Sequence, residues 1–208
     1  MRTALFYDTE TTGIPEYNLP SDDPVQPHII QLAADLVDLD TRRSIAAINT
    51  LIKPTSWVVP AEVEALTGIT TERAAMFGLD IRVVLPMFLS LWNMATEYRV
   101  AHGEQFDNRI TRIAIKRDGS FSDAFADQWK KAPAFCTCQE AKTIVNLPPS
   151  EKMAARGMKG PKLPNLGEAY KFFTGQDLQD AHDAAADVAA CKVVFFGIVE
   201  HRLRQAAA

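Results

Sequence analysis

Four carboxylates stand beside apolar sequence on three separated segments of the chain: Asp8, Glu10, Asp107 and Asp187. Asp8 and Glu10 are two residues apart at the end of an apolar run, so on an extended chain they project to the same face. Asp107 and Asp187 fall among helical positions that otherwise form a buried stripe. A carboxylate there is costly unless it is paired, hydrogen-bonded or bound to a metal. Two ordinary explanations stay open, a turn for the first pair and a helix-start acid for Asp107.

A histidine precedes the last of these acids by five residues. Asp183 is a suitable N-cap for the helix that carries Asp187, so His182 is expected in the preceding loop, leaning over the start of the helix. Oxygen ligands suit Mg²⁺ and Mn²⁺. Two such ions about 3.5–4 Å apart can orient a water and stabilise a leaving phosphodiester oxygen. A neutral imidazole can accept the proton of that water, so the set favours metal-assisted phosphodiester hydrolysis.

The elements that must position these groups follow from hydropathy. Apolar runs predict strands over 3–8, 28–38 and 44–53, joined as an antiparallel meander. Strand–helix alternation follows. The predicted helices cover 60–66, 80–96, 104–116, 139–145, 165–173 and 183–204, with short strands at 99–102 and 134–137. Antiparallel strands followed by alternation predict an α/β fold with a mixed sheet flanked by helices. No linker divides the chain, so residues 1–208 are expected to form one domain.

Composition narrows the function classes. The chain has 208 residues, 47% of them hydrophobic, and a net charge of −4, which excludes a polybasic protein that binds nucleic acid through its overall field. No run approaches the roughly 18 apolar residues of a membrane span, so no membrane association is expected. Three cysteines argue against a disulfide framework and favour a cytoplasmic location. Basic residues over 109–117 and 152–162 are candidate phosphate contacts. Tyr17, Trp57 and Trp129 could stack on bases, but packing explains each of them more simply.

Three motifs in order carry a family resemblance. Residues 6–13, Phe-Tyr-Asp-Thr-Glu-Thr-Thr-Gly, resemble the first motif of the DnaQ-like 3′–5′ exonucleases, the DEDD family. Residues 101–107 resemble the second motif. Residues 182–187 resemble the third in its histidine form, DEDDh. The segments 29–34, 66–70 and 162–166 also fit, so the resemblance covers about residues 1–200.

The resemblance implies roles for individual residues. Asp8, Glu10, Asp107 and Asp187 would bind two Mg²⁺ (or Mn²⁺) ions, and His182 would act as the general base. The implied substrate contacts are Thr11, Ile14, His102 and Phe106. The implied fold is RNase H-like, a five-stranded mixed sheet with an antiparallel meander followed by parallel strands. Two positions depart from the family: Thr67 replaces a histidine, and Gly103 replaces an asparagine that helps to position the 3′ end.

The expected activity is metal-dependent 3′–5′ exonucleolytic hydrolysis of single-stranded DNA, releasing nucleoside 5′-monophosphates, as in proofreading or DNA repair. RNA is an alternative substrate, because the motifs do not distinguish the sugar. A second alternative is a non-catalytic accessory subunit with a DNA polymerase as partner. The presence of all four carboxylates and His182 favours the enzyme.

Overall fold

One five-stranded mixed sheet organises the protein, in a computed structural model that describes residues 1–207. The strands are β1 (Thr3–Thr11), β2 (Ile29–Asp38), β3 (Ser44–Leu51), β4 (Tyr98–Ala101) and β5 (Ala134–Cys136). Their order is β3-β2-β1-β4-β5. The first three strands pair antiparallel, whereas β4 is parallel to β1 and β5 is parallel to β4. The predicted fold class, with its meander and later parallel strands, is confirmed.

The sheet is flanked by helices on both faces. They are α1 (Ala61–Thr67), α2 (Thr71–Phe77), α3 (Ile81–Asn93), α4 (Glu104–Asp118), α5 (Asp123–Lys131), α6 (Thr137–Val145), α7 (Glu151–Ala154), α8 (Leu166–Thr174) and α9 (Ala184–Ala206). The sequence analysis did not predict the short helices α2, α5 and α7. Each of the three begins after a serine or threonine whose side chain accepts a backbone N–H. Among the helices of residues 1–207, none has both the length and the apolar character that crossing a membrane requires.

The central strand β1 is longer than predicted. The sequence suggested an end at Asp8, but the strand runs on to Thr11. Asp8 lies opposite Ala33 and Glu10 opposite Gln31 on β2, and the register shifts only between Glu10 and Thr11. Both acids are therefore held by a regular ladder, because the pairing with β2 continues beyond the point where the apolar run stops.

Alternate residues of β1 enter two different cores. Leu5 and Tyr7 pack with the apolar faces of α3, α4 and α5. Ala4 and Phe6 pack with α9. Because side chains alternate along a strand, Asp8 and Glu10 continue the face that meets α9, and Thr9 continues the face that meets α4. The carboxylates of Asp8 and Glu10 therefore lie at the end of β1, where the strand leaves the core between α4 and α9.

Candidate active site

Thr9 connects the central strand to the start of α4. Its backbone N–H and its hydroxyl both donate to Oδ1 of Asp107, at 3.0 and 2.8 Å. Asp107 lies in the first turn of α4 and is only 3% exposed. The helix starts directly after Gly103, which adopts a left-handed conformation at φ 92°. These contacts bring the second acidic segment against the first.

Gln31 connects β2 to the start of α9 through two hydrogen bonds. Its amide nitrogen donates to Oδ2 of Asp183 at 3.1 Å, and its amide oxygen accepts from the N–H of Ala184 at 3.2 Å. Asp183 is the N-cap of α9, as predicted, and its Oδ1 accepts from two further N–H groups of the first turn. Since Gln31 lies opposite Glu10 in the sheet, the helix start is held beside that carboxylate.

Glu10, His182 and Asp187 form the tightest group of potential ligands in the described chain. Each offers one ligand atom, and these atoms all lie within 4.8 Å of one another. His182 has a positive φ of 69° in the exposed turn before α9, and its N–H donates to Oδ2 of Asp187 at 3.3 Å. The other oxygen of Asp187 is buried with no hydrogen-bond partner. The imidazole, expected as a base, is therefore also placed where it could bind a metal.

The four acids have no lysine or arginine partner in the described part of the chain. Within residues 1–207, no lysine or arginine forms an ion pair with Asp8, Glu10, Asp107 or Asp187. Burial raises the pKa of Glu10 to about 7, assisted by repulsion from Asp187. Burial also raises the pKa of Asp107 to about 8, although the two hydrogen bonds from Thr9 act in the opposite direction.

The pKa values of the other two acids shift in the same direction. Burial raises the pKa of Asp8 well above its usual value, and the charges of Asp107, Asp187 and Glu10 raise it further. Burial raises the pKa of Asp187, against the hydrogen bond from the His182 backbone. A divalent cation would relieve this repulsion and satisfy the orphaned oxygen of Asp187. Carboxylate oxygens are the donors that suit Mg²⁺ or Mn²⁺.

The implied substrate contacts occupy different surroundings. Thr11 is buried and its hydroxyl donates to the carbonyl of Gly13 at 2.7 Å. Ile14 is 78% exposed, and Phe106 is half-buried against the core on the α4 side. Both ring nitrogens of His102 are engaged within the protein, with Thr137 Oγ1 at 2.9 Å and the Pro164 carbonyl at 3.1 Å. Contacts of these four residues with a substrate stay predictions.

Three arginines of α4 serve the loop between β1 and β2. Arg109 donates to the carbonyl of Leu19, Arg112 donates to Ser21 Oγ at 3.1 Å, and Arg117 donates to the Pro27 carbonyl at 2.6 Å. The sequence marked this basic segment as a candidate for phosphate contacts. Its guanidinium groups instead hold the loop against the helix, since carbonyl groups of a loop need donors.

Sequence reasoning missed two residues that position the site. Thr9 lies between two acids, and strand alternation alone would have directed its side chain toward the opposite face and α4. Gln31 is a polar residue among the apolar residues at the start of β2, and a buried polar side chain is a signal for a specific hydrogen-bond partner.

Comparison with known proteins shows the family to which the chain belongs. A sequence profile of the RNase T exonuclease family, described as exonuclease, matches residues 5–195. The chain therefore belongs to this exonuclease family, of the DnaQ-like class. The prediction of the family is confirmed, and with it the prediction that the chain is an exonuclease enzyme. A comparison with curated proteins gives no match.

Solved structures of exonuclease I share the fold. A structure of exonuclease I has a TM-score of 0.71 and 22% identity, with 97% of this chain and 41% of that chain covered. The E. coli enzyme with a dT13 oligonucleotide has a TM-score of 0.73 and 21% identity, with 99% and 42% covered. The zinc-bound E. coli exonuclease I complex with single-stranded DNA has a TM-score of 0.71 and 21% identity, with the same coverage. The chain thus spans about two-fifths of the length of these structures.

Proposed function

We propose that the protein is a metal-dependent 3′–5′ exonuclease that removes nucleoside 5′-monophosphates from single-stranded DNA. The observation that carries the proposal is the convergence of Glu10, His182 and Asp187 within 4.8 Å, beside Asp8 and Asp107. These groups converge where the central strand leaves the core. Family membership supports hydrolysis of a nucleic acid and dependence on a divalent metal.

The acids and the histidine have different roles in the proposed hydrolysis. Asp8, Glu10, Asp107 and Asp187 would hold two Mg²⁺ or Mn²⁺ ions, which would supply Lewis-acid stabilisation of the phosphodiester. His182 lies in an exposed turn next to this set, where its imidazole accepts the proton of the attacking water. The hydrogen bond from its own backbone to Asp187 holds the turn and the carboxylate in one arrangement.

Single-stranded DNA is the favoured substrate. The structures of E. coli exonuclease I named above hold a dT13 oligonucleotide and single-stranded DNA, and the shared fold supports the same class of ligand here. Exposed Ile14 lies three residues after the end of β1, where an apolar side chain can contact a terminal base. Nothing in the site or in these comparisons supports a DNA polymerase as partner, and the proposal includes none.

Two broader expectations belong to the proposal. A single sheet with both helical layers packed on β1 supports one domain over residues 1–208. Three free cysteines support the prediction of a cytoplasmic location.

The test uses 5′-labelled single-stranded DNA and RNA of matched sequence, with Mg²⁺, with Mn²⁺ and with EDTA. We expect a metal-dependent ladder that shortens from the 3′ end and is absent with Asp8→Asn. Glu62→Gln, an exposed acid on α1, is the matched control and should leave the ladder unchanged. His182→Ala should bind the strand and lose turnover. Cleavage in EDTA, or a wild-type rate with Asp8→Asn, would overturn the mechanism, and a faster RNA ladder would reassign the substrate.

A further inference from the structure

A cavity of about 430 Å³ lies between α4 and the segments that flank β2 and β3. Its floor is apolar and includes Ile110 and Ile113 of α4. On one wall the indole of Trp57 stacks on the imidazole of His28, with ring centroids 5.5 Å apart and planes inclined by 21°. Neither aromatic residue takes part in the mechanism above.

The cavity lies farther along α4 than Asp107, the acid that this helix contributes to the proposed active site. Asp107, Ile110, Ala114 and Arg117 follow one another at steps of three or four residues, so they lie on one face of the helix. The last three line the cavity. At 1.5 Å per residue, Ile110 lies about 5 Å and Arg117 about 15 Å beyond Asp107 along the helix axis.

The segment that follows β1 also places the cavity a short distance from Glu10. Just beyond the paired residues of β1 and β2, the Thr12 N–H donates to the His28 carbonyl and the His28 N–H donates to the Thr12 hydroxyl, each at 2.9 Å. Thr12 is two residues beyond Glu10, and two residues of extended chain span about 7 Å. The separation of the two places is therefore one that a strand of several nucleotides is long enough to span.

The aromatic wall presents flat, uncharged surface. Burial lowers the pKa of His28 to about 4, with a further contribution from Arg117, so its imidazole is neutral at physiological pH. Neutral aromatic rings over an apolar floor are a surface on which a nucleobase stacks regardless of its identity.

Among the basic residues that line the cavity, Lys53 is free to contact a phosphate. Arg82 is paired with Asp80 at 2.5 Å, and Arg117 donates to loop carbonyls. The ammonium group of exposed Lys53 has neither an ion pair nor a hydrogen bond within residues 1–207. A lysine beside a stacking surface suits a base with its phosphate.

We propose that this cavity binds a nucleobase of the same single strand, upstream of the 3′-terminal nucleotide, with Trp57 as the stacking surface and Lys53 on the adjacent phosphate. The inference rests on the proposed function, since it assigns a second subsite to the same substrate. It predicts that affinity depends on strand length, because only a strand of several nucleotides reaches both places.

The experiment measures binding in EDTA-free buffer with Mg²⁺ in the Asp8→Asn background, so that the strand stays intact. The probes are labelled dT8 and the mononucleotide dTMP. We expect Trp57→Ala to weaken dT8 binding about 5- to 150-fold, the range for loss of one stacked base, and to leave dTMP binding unchanged. Trp57→Phe should retain most of the affinity, and Lys53→Ala should reduce the salt dependence of dT8 binding. Val58→Ala, at an exposed neighbour outside the cavity, is the matched control.

Tryptophan fluorescence gives a second measurement that does not depend on the alanine variant folding. Trp92 and Trp129 are 8% and 0% exposed, so a change in emission on adding dT8 should come from Trp57 and vanish in Trp57→Phe. Equal dT8 affinity of the folded proteins with Trp57 and with Trp57→Ala would overturn the subsite, and so would tryptophan emission that dT8 leaves unchanged. A wild-type protein that yields no ladder with any metal would overturn the proposed function instead, and the two failures are thereby distinguished.

Discussion

Replacing Thr9 by valine tests how the chain holds its second acidic segment. The hydroxyl and the backbone N–H of Thr9 both donate to the same oxygen of Asp107, at 2.8 and 3.0 Å, in a buried environment. Valine preserves the shape of the side chain and removes only the hydroxyl. Asp107 would keep one of two hydrogen bonds and could rotate away from the position it needs as a ligand.

The expected magnitude follows from that single hydrogen bond. A hydrogen bond to a charged group contributes about 1.5–3 kcal/mol. Loss of a partner that orients a metal ligand typically reduces metal affinity or activity about 10- to 100-fold, and the two ranges agree because tenfold corresponds to about 1.4 kcal/mol. The hydroxyl also lowers the pKa of Asp107, so its loss leaves more of the carboxyl protonated at neutral pH.

The assay follows initial rates on 5′-labelled single-stranded DNA against Mg²⁺ concentration. We expect Thr9→Val to lower kcat/KM about 10- to 100-fold and to raise the Mg²⁺ concentration for half-maximal rate. Thr9→Ser keeps the hydroxyl and should stay close to the wild type. If a folded Thr9→Val protein stays within about twofold of the wild type in both quantities, the orienting role of this hydrogen bond is refuted.

Three further predictions concern the stability of the residues around the site. Glu104→Leu removes the carboxylate paired with Arg99 at 2.7 Å in the core, which should cost about 3–5 kcal/mol and lower Tm by about 6–20 °C. The double variant with Arg99→Met should recover part of this loss, and an unchanged Tm for Glu104→Leu alone would contradict the prediction. Gly103 has a φ of 92° with nothing within 4 Å of an added Cβ, so Gly103→Ala should lower Tm by backbone strain and Gly103→Asn by less; equal losses would argue against this reason. Burial raises the pKa of Glu10 to about 7 and the pKa of Asp107 to about 8. The protonated carboxyl groups therefore stabilise the folded protein fully below about pH 4, and this stabilisation is lost as the pH rises to about 8. EDTA-treated protein should therefore melt lower at pH 8 than at pH 5 and recover with Mg²⁺, whereas the same Tm at both values would contradict the shifts.

Much of the site could be predicted from local pattern. The i, i+2 spacing of Asp8 and Glu10 implies one face of a strand, and β1 has that geometry. Asp183 was recognisable as a helix cap, which put His182 in the preceding turn. These features depend on backbone geometry over a few residues, and the order of the three motifs was enough to indicate the exonuclease family and its sheet.

The sequence by itself determined the identity and order of the reactive groups, because strand alternation and helix capping act within a single segment. Only the tertiary structure decided which partners those groups meet. Arg117 could serve a phosphate or a loop carbonyl equally well by its chemistry, and the fold brings the Pro27 carbonyl to it. Gln31 and Asp183 are separated by 152 residues and meet only because α9 packs on the sheet. The cavity behind Trp57 likewise exists only where α4 and the segments flanking β2 and β3 come together, since a surface shared by distant segments has no local signature.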